Sequence, residues 1–402
     1  MNVKKEMGGG GTPKKRILFY LDSLIMGGAE KIGIDYLNLL NEIRKYDIFL
    51  VINENNGERG NILIDRIPKN IKYQFIIKEK TMERLNYYKE KRKKNSFYKI
   101  MYTFYRKKKR FERRKIKEVL KEQQYDILID FQGRIPLELL NDKIFMWQHL
   151  NLGQVKSIEK FKENLKRIRK RIVLNEDMKK EIEKVAPELV ENKVKVIPNF
   201  FDIDYLKKLS MDYSKLTLKE KELIKENYFF ACCRIDRQKD LDTLIESYKI
   251  LKEQYHIKEK LYIAGIGDEK ERLESLVKNY NLENEIVFLG LQLNPYVWMK
   301  NAKFFIHSSH YEGFGLVLVE ALITNGMVIS SNCPVGPREI LEDGKVGILF
   351  PVGDKEKLVE EILKVLTNED LVEKYREEAQ RKIEEFSKET VKKEIIKLLD
   401  EI

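Results

Sequence analysis

Short apolar runs alternate with helix-length segments over most of the chain. In the first half these runs predict strands at residues 17–21, 48–52, 127–131, 144–147 and 172–174. The pattern restarts in the second half, with apolar runs at residues 228–232, 261–264, 286–289, 304–307 and 327–330. Such alternation is typical of parallel βαβ units. The sequence therefore predicts an α/β protein with two doubly wound, Rossmann-like domains that face each other across a cleft.

The segment Val196-Ile197-Pro198-Asn199 reads as a strand end followed by a turn, so we predict the domain boundary close to Pro198. We expect four parts: a flexible segment at 1–15 with glycines at 8–11, an N-terminal domain at 16–198, a C-terminal domain at 199–385 and a C-terminal helix at 386–402. The last segment has the apolar spacing of an amphipathic helix, carried by Val391, Ile395, Leu398 and Leu399. We expect this helix to cross back to the N-terminal domain.

Composition narrows the class of protein. A hydrophobic content of 43% with nine prolines excludes a disordered or collagen-like chain. No apolar stretch approaches the length of a transmembrane helix, which is about 18 residues or more. Three cysteines cannot form a disulfide framework, and the adjacent pair lacks the spacing of a metal site. We therefore predict a cytoplasmic protein, either free or peripherally bound to the inner face of the cell membrane.

The net charge of +12 is concentrated in one segment. Residues 78–118 contain eighteen Lys or Arg, five Glu and eight aromatic residues, and so account for the whole excess of positive charge. Helical spacing predicts an apolar stripe there, made of Phe97, Met101, Phe104, Tyr105 and Phe111. Three interpretations stay open for this basic insertion: a solvated helix face, a contact with an anionic membrane, or a surface for single-stranded nucleic acid. We favour the membrane and expect no nucleic acid partner.

Ligands of doubly wound sheets bind beyond the carboxyl ends of the strands, so the loops there are candidate sites. Gly27 and Gly28 open a helix after the first strand, where exposed backbone NH groups can approach an anion. An ordinary strand-to-helix turn is the alternative. Arg234 and Lys239 follow the strand at 228–232, and two cations in one such loop can grip a diphosphate. The alternative there is a solvated loop.

A third loop follows the strand at 304–307. Its glycines at 313 and 315 predict that Glu312 lies in the loop and that a helix begins near Gly315. The NH groups of Phe314, Gly315 and Leu316 would then offer a phosphate site, and Glu320 can point back toward a ligand at that helix end. A buried helix over 316–322, with Glu320 in a salt bridge, is the alternative.

These motifs resemble the retaining glycosyltransferases of family 4, which have the GT-B fold. The resemblance is carried by Glu312-x7-Glu320, by Gly336-Pro337-Arg338-Glu339, by Met26-Gly27-Gly28-Ala29-Glu30 and by Leu261-Tyr262-Ile263-Ala264-Gly265. It spans about residues 16–402, with the basic insertion as the main exception. Arg234 and Lys239 fall where this family places the Arg and Lys that bind the diphosphate.

The resemblance implies that the N-terminal domain binds the acceptor and that the C-terminal domain binds the nucleotide-sugar. It also implies roles for individual residues. Glu320 would hold the ribose hydroxyls of the nucleotide, and Glu312 would contact the transferred sugar. His149 lies at a strand end where the family has a His near the reaction centre, although a packed histidine is the alternative. We interpret His307 as a residue that packs in its strand.

The implied activity is transfer of a hexose or N-acetylhexosamine from a nucleotide-sugar, expected to be a UDP-sugar, with retention of configuration. The acceptor would be a lipid-linked glycan or a surface polysaccharide. We expect no metal or other cofactor, because the triplets Asp202-Ile203-Asp204 and Asp240-Leu241-Asp242 stand at predicted helix starts, where Asp is a favoured cap. The alternatives are protein glycosylation, nucleotide-sugar epimerisation, or nucleic acid binding on an inactive glycosyltransferase scaffold.

Overall fold

The computed structural model describes residues 14–25, 27–149, 152–155 and 157–401. Most of the segment expected to be flexible, including the glycines at 8–11, lies outside these residues, as does Met26. Contacts divide the chain into two compact units. The first takes in the chain up to Gln148, with Ser157–Ile172 and Glu188–Lys195, and the second takes in His149–Lys156, Val173–Pro187 and the chain from Val196. The chain thus passes between the units several times, whereas the sequence indicated a single boundary near Pro198.

A parallel sheet of seven strands organises the N-terminal half. Its strands are β1 (Lys15–Leu21), β2 (Tyr46–Glu54), β3 (Lys72–Ile77), β4 (Ile127–Asp130), β5 (Ile144–Trp147), β6 (Lys170–Val173) and β7 (Val194–Val196). They follow the order β3-β2-β1-β4-β5-β6-β7, so the chain starts in the middle of the sheet and builds outward in both directions. The pairs of β1 with β2 and with β4 are parallel, as the alternating pattern predicts.

Helices connect these strands. They are α1 (Gly28–Ile43), α2 (Gly57–Gly60), α3 (Glu79–Lys91), α4 (Ser96–Arg113), α5 (Ile116–Glu122), α6 (Ile158–Arg167), α7 (Glu176–Val185) and α8 (Pro187–Lys193). In the core, the ring of Phe131 stacks on Phe19 at 5.6 Å and on Trp147 at 5.5 Å, and Tyr36 of α1 covers Phe131. Aromatic pairs of this kind hold α1 against β1 and β5.

The basic insertion folds into a hairpin of α3 and α4. Glu112 of α4 is buried and accepts hydrogen bonds from the backbone NH of Lys78 at 3.0 Å and from the Thr81 hydroxyl at 2.9 Å. Tyr105 stacks on Tyr88 of α3 at 5.6 Å. The hairpin is therefore fixed by specific contacts.

The predicted apolar stripe needs a correction. Tyr105 belongs to the inner face of α4, because its ring packs on α3. The exposed apolar side chains of α4 are Phe97, Ile100, Phe104 and Phe111, with exposed fractions of 60%, 66%, 55% and 67%. We call these four residues the α4 stripe. A helix that leaves such a stripe uncovered has an unpartnered apolar face.

A second parallel sheet, of six strands, organises the C-terminal half. Its strands are β8 (Tyr228–Cys232), β9 (Lys260–Ala264), β10 (Ile286–Gly290), β11 (Phe305–His307), β12 (Val328–Ser331) and β13 (Ile348–Phe350), in the order β10-β9-β8-β11-β12-β13. The helices are α9 (Ile203–Leu209), α10 (Leu218–Leu223), α11 (Leu241–Tyr255), α12 (Lys270–Asn279), α13 (Tyr296–Asn301), α14 (Leu316–Thr324), α15 (Pro337–Ile340), α16 (Lys355–Leu366), α17 (Glu369–Ile383) and α18 (Lys388–Asp400).

The last helix confirms the predicted amphipathic pattern, since Val391, Ile395, Leu398 and Leu399 of α18 are all buried. Contacts group α18 with the second unit. None of the helices in the described part of the chain is both long enough and apolar enough to cross a bilayer.

The sequence pattern did not predict two of the strands. β3 leaves its first three residues exposed, so its apolar run is only the three residues Phe75-Ile76-Ile77. β13 has three residues, which is too short for a periodic signal. The two sheets nevertheless confirm the predicted fold class: two parallel-sheet, Rossmann-like domains in an α/β chain.

Candidate functional site

The candidate site lies in the second unit, in the loops that follow β8 and β11. These strands are neighbours in the middle of the sheet and pair in parallel. The carboxyl ends of parallel strands meet at one edge of a sheet, so the loop with Arg234 and Lys239 lies beside the loop with Glu312. Gln238 joins the two loops, since its side-chain amide donates to the Tyr311 carbonyl at 2.8 Å and its own carbonyl accepts from the His310 NH at 2.8 Å.

Backbone packing fixes the path of the first loop. The NH of Cys233 donates to the Ala264 carbonyl at 3.0 Å, and the NH of Ile235 donates to the Ile266 carbonyl at 2.9 Å. A Cβ atom at Gly265 would lie 1.8 Å from the Cys233 oxygen, and one at Gly267 would lie 2.0 Å from the Ile235 oxygen. Only glycine permits this close approach, which supports the loop that carries Arg234 and Lys239.

A largely buried ion pair lies at the centre of the site. Nζ of Lys239 is 2.5 Å from Oε1 of Glu312, and the two side chains are 14% and 11% exposed. Nε2 of His307 lies 2.9 Å from the same oxygen, and the Ser309 hydroxyl donates to it at 2.7 Å. Nδ1 of His307 lies 3.1 Å from the Ser330 hydroxyl, which orients the ring from the neighbouring strand. Three groups from two loops and a strand end thus converge on one carboxylate.

Electrostatics keep this carboxylate ionised. Burial opposes ionisation of Glu312, but the hydrogen bond and charge of His307 and the ammonium of Lys239 outweigh it and lower the pKa of Glu312 to about 2. The neighbouring thiols are inert by comparison, because burial raises the pKa of Cys233 and of Cys333 to about 12 in each case. The site therefore presents a fixed negative oxygen and an ammonium to a ligand.

Arg234 lies on the same loop as Lys239 but faces solvent. Its side chain is 68% exposed and forms an ion pair with Asp236. A second contact, from its guanidinium to the side-chain oxygen of Gln238, is 3.5 Å long. The guanidinium is thus held over the loop while most of it stays accessible to a ligand.

The helix that follows the Glu312 loop begins as predicted. Gly315 is the N-cap of α14 with φ of 89°, a left-handed conformation that favours glycine. Phe314 is buried, and its ring meets Phe386 edge-on at 5.8 Å, while Leu316 is the first helical residue. Glu320 lies in the second turn of α14 and accepts a hydrogen bond from the Tyr296 hydroxyl at 3.0 Å.

His149 is placed next to this loop through its backbone. A Cβ atom at Gly313 would lie 2.2 Å from the His149 oxygen, so the residue after Glu312 packs directly on His149. The role of His149 near a reaction centre stays a prediction, as do the roles of Glu312 and Glu320.

The glycine pair of the first unit has a different environment. Gly27 caps α1, and the carboxylate of Glu30 folds back over it, so that a Cβ atom at Gly27 would lie 2.2 Å from Oε2 of Glu30. Gln132 fixes this carboxylate with a hydrogen bond of 2.9 Å. An anion at the start of α1, near Gly27 and Gly28, would meet a negative charge already in place, so the predicted role of these glycines gains no support from the geometry.

The two aspartate triplets act as helix caps, as their positions predicted. Asp202 caps α9 through the Tyr205 NH at 3.0 Å, and Asp240 caps α11. Asp242 pairs with Arg272 at 2.6 Å. Among the described residues, no group of three or more His, Cys, Asp or Glu side chains has the arrangement of a metal site.

Sequence reasoning missed the residues that hold the site together. His307 is buried as predicted, but it contacts Glu312 rather than serving only as strand packing. Ser309, Gln238 and Tyr296 were also overlooked. Only their position could have indicated His307 and Ser309, because they lie at the end of a strand that leads into a candidate loop.

Comparison with known proteins finds a family model that is similar to much of the second unit. Residues 214–382 match the sequence model of the family described as "Glycosyl transferases group 1", which is less than half of the chain. An uncharacterised glycosyltransferase of Methanocaldococcus jannaschii is 33% identical over 253 residues, which cover 56% of this chain and 61% of the relative. The N-acetylgalactosamine-N,N'-diacetylbacillosaminyl-diphospho-undecaprenol 4-alpha-N-acetylgalactosaminyltransferase of Campylobacter jejuni is 30% identical over 44% of this chain and 47% of its own length. The chain therefore spans about six tenths or less of these relatives.

Solved structures match over nearly the whole chain. HepE of Anabaena, solved with UDP-glucose, has a TM-score of 0.70 and 18% identity, covering 96% of this chain and 100% of its own. WaaG, a glycosyltransferase involved in lipopolysaccharide biosynthesis, has a TM-score of 0.63 and 15% identity, covering 92% and 95%. Residues 214–382 are therefore similar to the group 1 glycosyltransferases, and the two units have the Rossmann-like fold of the GT-B glycosyltransferases.

Proposed function

We propose that the protein transfers a hexose or N-acetylhexosamine from a UDP-sugar to a lipid-linked or polysaccharide acceptor, with retention of configuration and without a metal. The observation that carries this proposal is the contact of Lys239, Glu312 and His307 at the carboxyl ends of β8 and β11. These residues lie inside the segment that matches group 1 glycosyltransferases. A cation beside a fixed carboxylate suits a diphosphate ester, whose leaving group needs positive charge and whose sugar offers hydroxyl donors.

The UDP donor is inferred from a solved structure with a similar fold. HepE was solved with UDP and with UDP-glucose, and its fold matches this chain. Lys239 and Arg234 would hold the diphosphate, the NH groups at Phe314, Gly315 and Leu316 would add donors, and Glu320 would take the ribose hydroxyls. In this proposal the cations of the loop neutralise the leaving diphosphate, the task that a metal performs in other transferases.

The acceptor class rests on the relatives. The name of the Campylobacter jejuni relative includes diphospho-undecaprenol. A Staphylococcus aureus relative, 26% identical over 48% of this chain and 39% of its own length, is a poly(ribitol-phosphate) alpha-N-acetylglucosaminyltransferase. Both acceptors carry phosphate groups in the polymer or its lipid carrier. We therefore place the acceptor among phosphate-bearing glycans.

Donor binding offers the direct test. We expect UDP to stabilise the protein by about 2.7 kcal/mol at a concentration of 100 times its Kd, because only the folded state has the site. Scanning fluorimetry with UDP, with ADP and with single-stranded RNA measures this, and release of UDP from a panel of UDP-sugars identifies the sugar. Stabilisation by RNA with no response to UDP would support the alternative of a nucleic acid binder on an inactive scaffold.

We further propose that the α4 stripe binds an anionic membrane. Phe97, Ile100, Phe104 and Phe111 are exposed, and Lys107, Lys108 and Arg114 lie within about 100° of them around a helix of 3.6 residues per turn. Apolar groups enter the lipid interface while cations pair with its headgroups, at about 1 kcal/mol for each cation near the surface. Membrane binding of this kind would hold the protein beside a lipid-linked acceptor, on the inner face of the cell membrane.

The triple variant Phe97→Gln, Phe104→Gln and Phe111→Gln is expected to bind phosphatidylglycerol vesicles about 100-fold more weakly than the native chain, at about 1 kcal/mol for each partly inserted ring. Co-sedimentation measures the partition. The matched control replaces three exposed apolar residues of the second unit, Met211, Leu218 and Leu293, with Gln. Equal binding to phosphatidylcholine and phosphatidylglycerol vesicles, or equal loss in the control, would contradict the proposal.

A further inference from the structure

A cavity lies in the first unit, on the opposite side of α4 from the α4 stripe. It has a volume of about 560 Å³ and is bounded by α3, α4 and the loops that follow β1 and β2. Ile25 follows β1, and Glu54 is the last residue of β2, so the cavity stands at the carboxyl end of the sheet. That is the edge at which doubly wound domains bind ligands. The volume suits an organic diphosphate.

Positive charge dominates the lining. Five cationic side chains meet one carboxylate there: Lys89, Arg106, Lys109, Arg110 and Arg113 against Glu54. Lys109 forms an ion pair with Glu54, so that carboxylate is already satisfied. In the described part of the chain, neither Lys89, Arg106 nor Arg110 has a carboxylate within ion-pair distance. Three cations around one concave surface repel each other unless an anion lies between them.

Two buried donors in the lining lack an acceptor. Within the described residues, Nε of Arg113 and the side-chain nitrogen of Asn56 are buried without a hydrogen-bond partner. The other end of the Arg113 guanidinium donates to the Arg134 carbonyl, which holds the side chain in place. Buried donors normally have an acceptor. Two donors without one on the same cavity wall therefore point to a ligand that brings acceptor oxygens.

The scaffold presents these groups rigidly. Glu112 ties α4 to the start of α3, and the stacked rings of Tyr88 and Tyr105 lie between the helices. Arg106 lies 5.9 Å from the ring of Tyr102, which also lines the cavity. Preorganised guanidinium groups favour bidentate binding of phosphate oxygens, whereas a solvated charge run has no fixed geometry.

We propose that this cavity binds the diphosphate of a lipid-linked acceptor, with Arg106, Arg110 and Arg113 on its oxygens and the side chains of Met82 and Leu85 against the first carbons of the lipid. The identification of the ligand as the acceptor rests on the proposed function. The assignment of a diphosphate rests on the cavity alone, on its cations and its unpaired donors.

The test uses inorganic pyrophosphate as the probe, titrated calorimetrically into the whole protein with UDP present at saturation to occupy the donor site. We expect the double variant Arg106→Gln and Arg110→Gln to bind pyrophosphate about 100-fold more weakly, since each lost charge-assisted contact weakens binding about tenfold or more. The matched control, Lys93→Gln with Lys94→Gln, removes two exposed charges from the turn between α3 and α4 and should bind within about twofold of the native chain. Equal loss in both variants, or no loss in either, overturns the proposal.

A second arm distinguishes the source of the diphosphate. Farnesyl diphosphate should bind at least as tightly as pyrophosphate, and tighter binding of bare pyrophosphate overturns the lipid assignment. UDP affinity, measured in parallel, should not change in the Arg106 and Arg110 variant, which also reports that its fold is intact. Binding of UDP without binding of pyrophosphate would refute the proposed cavity site but not the donor site. Binding of pyrophosphate without binding of UDP would refute the donor site alone.

Discussion

Replacing Lys239 with alanine is expected to lower kcat about 100- to 1000-fold, the usual effect of deleting one preorganised donor that stabilises developing charge. Lys239 suits this role because its side chain is largely shielded from solvent and its ammonium is held by Glu312 at 2.5 Å. A diphosphate that enters the site meets a cation whose position is already fixed, so little reorganisation is needed as charge develops on the leaving group. Steady-state assays of UDP release measure the effect.

A matched control separates catalysis from loss of an ion pair. Lys303 pairs with the carboxylate of Glu259 at 2.7 Å. Lys303 precedes β11, so this ion pair lies at the edge of the sheet opposite the candidate loops. That carboxylate is 12% exposed, close to the 11% of Glu312. Lys303→Ala should therefore keep kcat within about twofold, although both variants lose one short ion pair.

The Lys239 variant should still unfold cooperatively, because Glu312 retains hydrogen bonds to His307 and Ser309. A loss of turnover without a loss of cooperative unfolding then reports on catalysis. Turnover above a tenth of the native value would remove Lys239 from the mechanism.

The sequence located the loops of the site but not their contacts. Position after a strand made Arg234, Lys239 and Glu312 candidates, because parallel strands deliver their following loops to one edge, and the resemblance to family 4 glycosyltransferases then selected them. The pairing of Lys239 with Glu312 depends on how residues 73 positions apart approach each other, and no local pattern contains that distance. His307 illustrates the same limit, since an apolar run around a histidine predicts burial without naming its partner.

Helical periodicity likewise predicted only part of the exposed apolar face of α4. Residues 104 and 105 are adjacent, so a spacing argument could place both on one stripe. The structure separates them because α3 packs against one side of the helix, which draws Tyr105 inward and leaves Phe104 exposed. Glycine patterns show the same difficulty at Gly27, where the nearby Glu30 folds back over the turn and changes the charge that a ligand would meet.

Replacing Gly265 with alanine is expected to destabilise the second unit by about 3 to 5 kcal/mol, in the range that marks a severe steric conflict. Two penalties coincide at this residue. Its φ of 138° lies in a region that side chains rarely adopt, and an added Cβ atom would lie 1.8 Å from the backbone oxygen of Cys233. A backbone atom cannot move aside as a flexible side chain can, so the loop that carries Arg234 and Lys239 must shift.

Two further glycines separate these penalties. Gly353 has a φ of 75°, and apart from Gly353 and its two chain neighbours no described atom lies within 4 Å of the position that an added Cβ would take. Gly353→Ala therefore isolates the conformational cost and should lose about 1 kcal/mol. Gly267 has no positive φ, but its Cβ atom would lie 2.0 Å from the Ile235 oxygen, so Gly267→Ala isolates the clash. Urea unfolding of each variant measures the loss.

The same three variants test whether the path of the loop sets the position of Lys239. If the close approach of the two loops positions its ammonium, then Gly265→Ala and Gly267→Ala should weaken UDP binding, while Gly353→Ala should leave it unchanged. A folded Gly267 variant that binds UDP with reduced affinity would show that the loop path, and not stability alone, sets that position. A Gly267 variant as stable as Gly353→Ala, with native UDP affinity, would mean that the loops approach less closely than the backbone hydrogen bonds of Cys233 and Ile235 require.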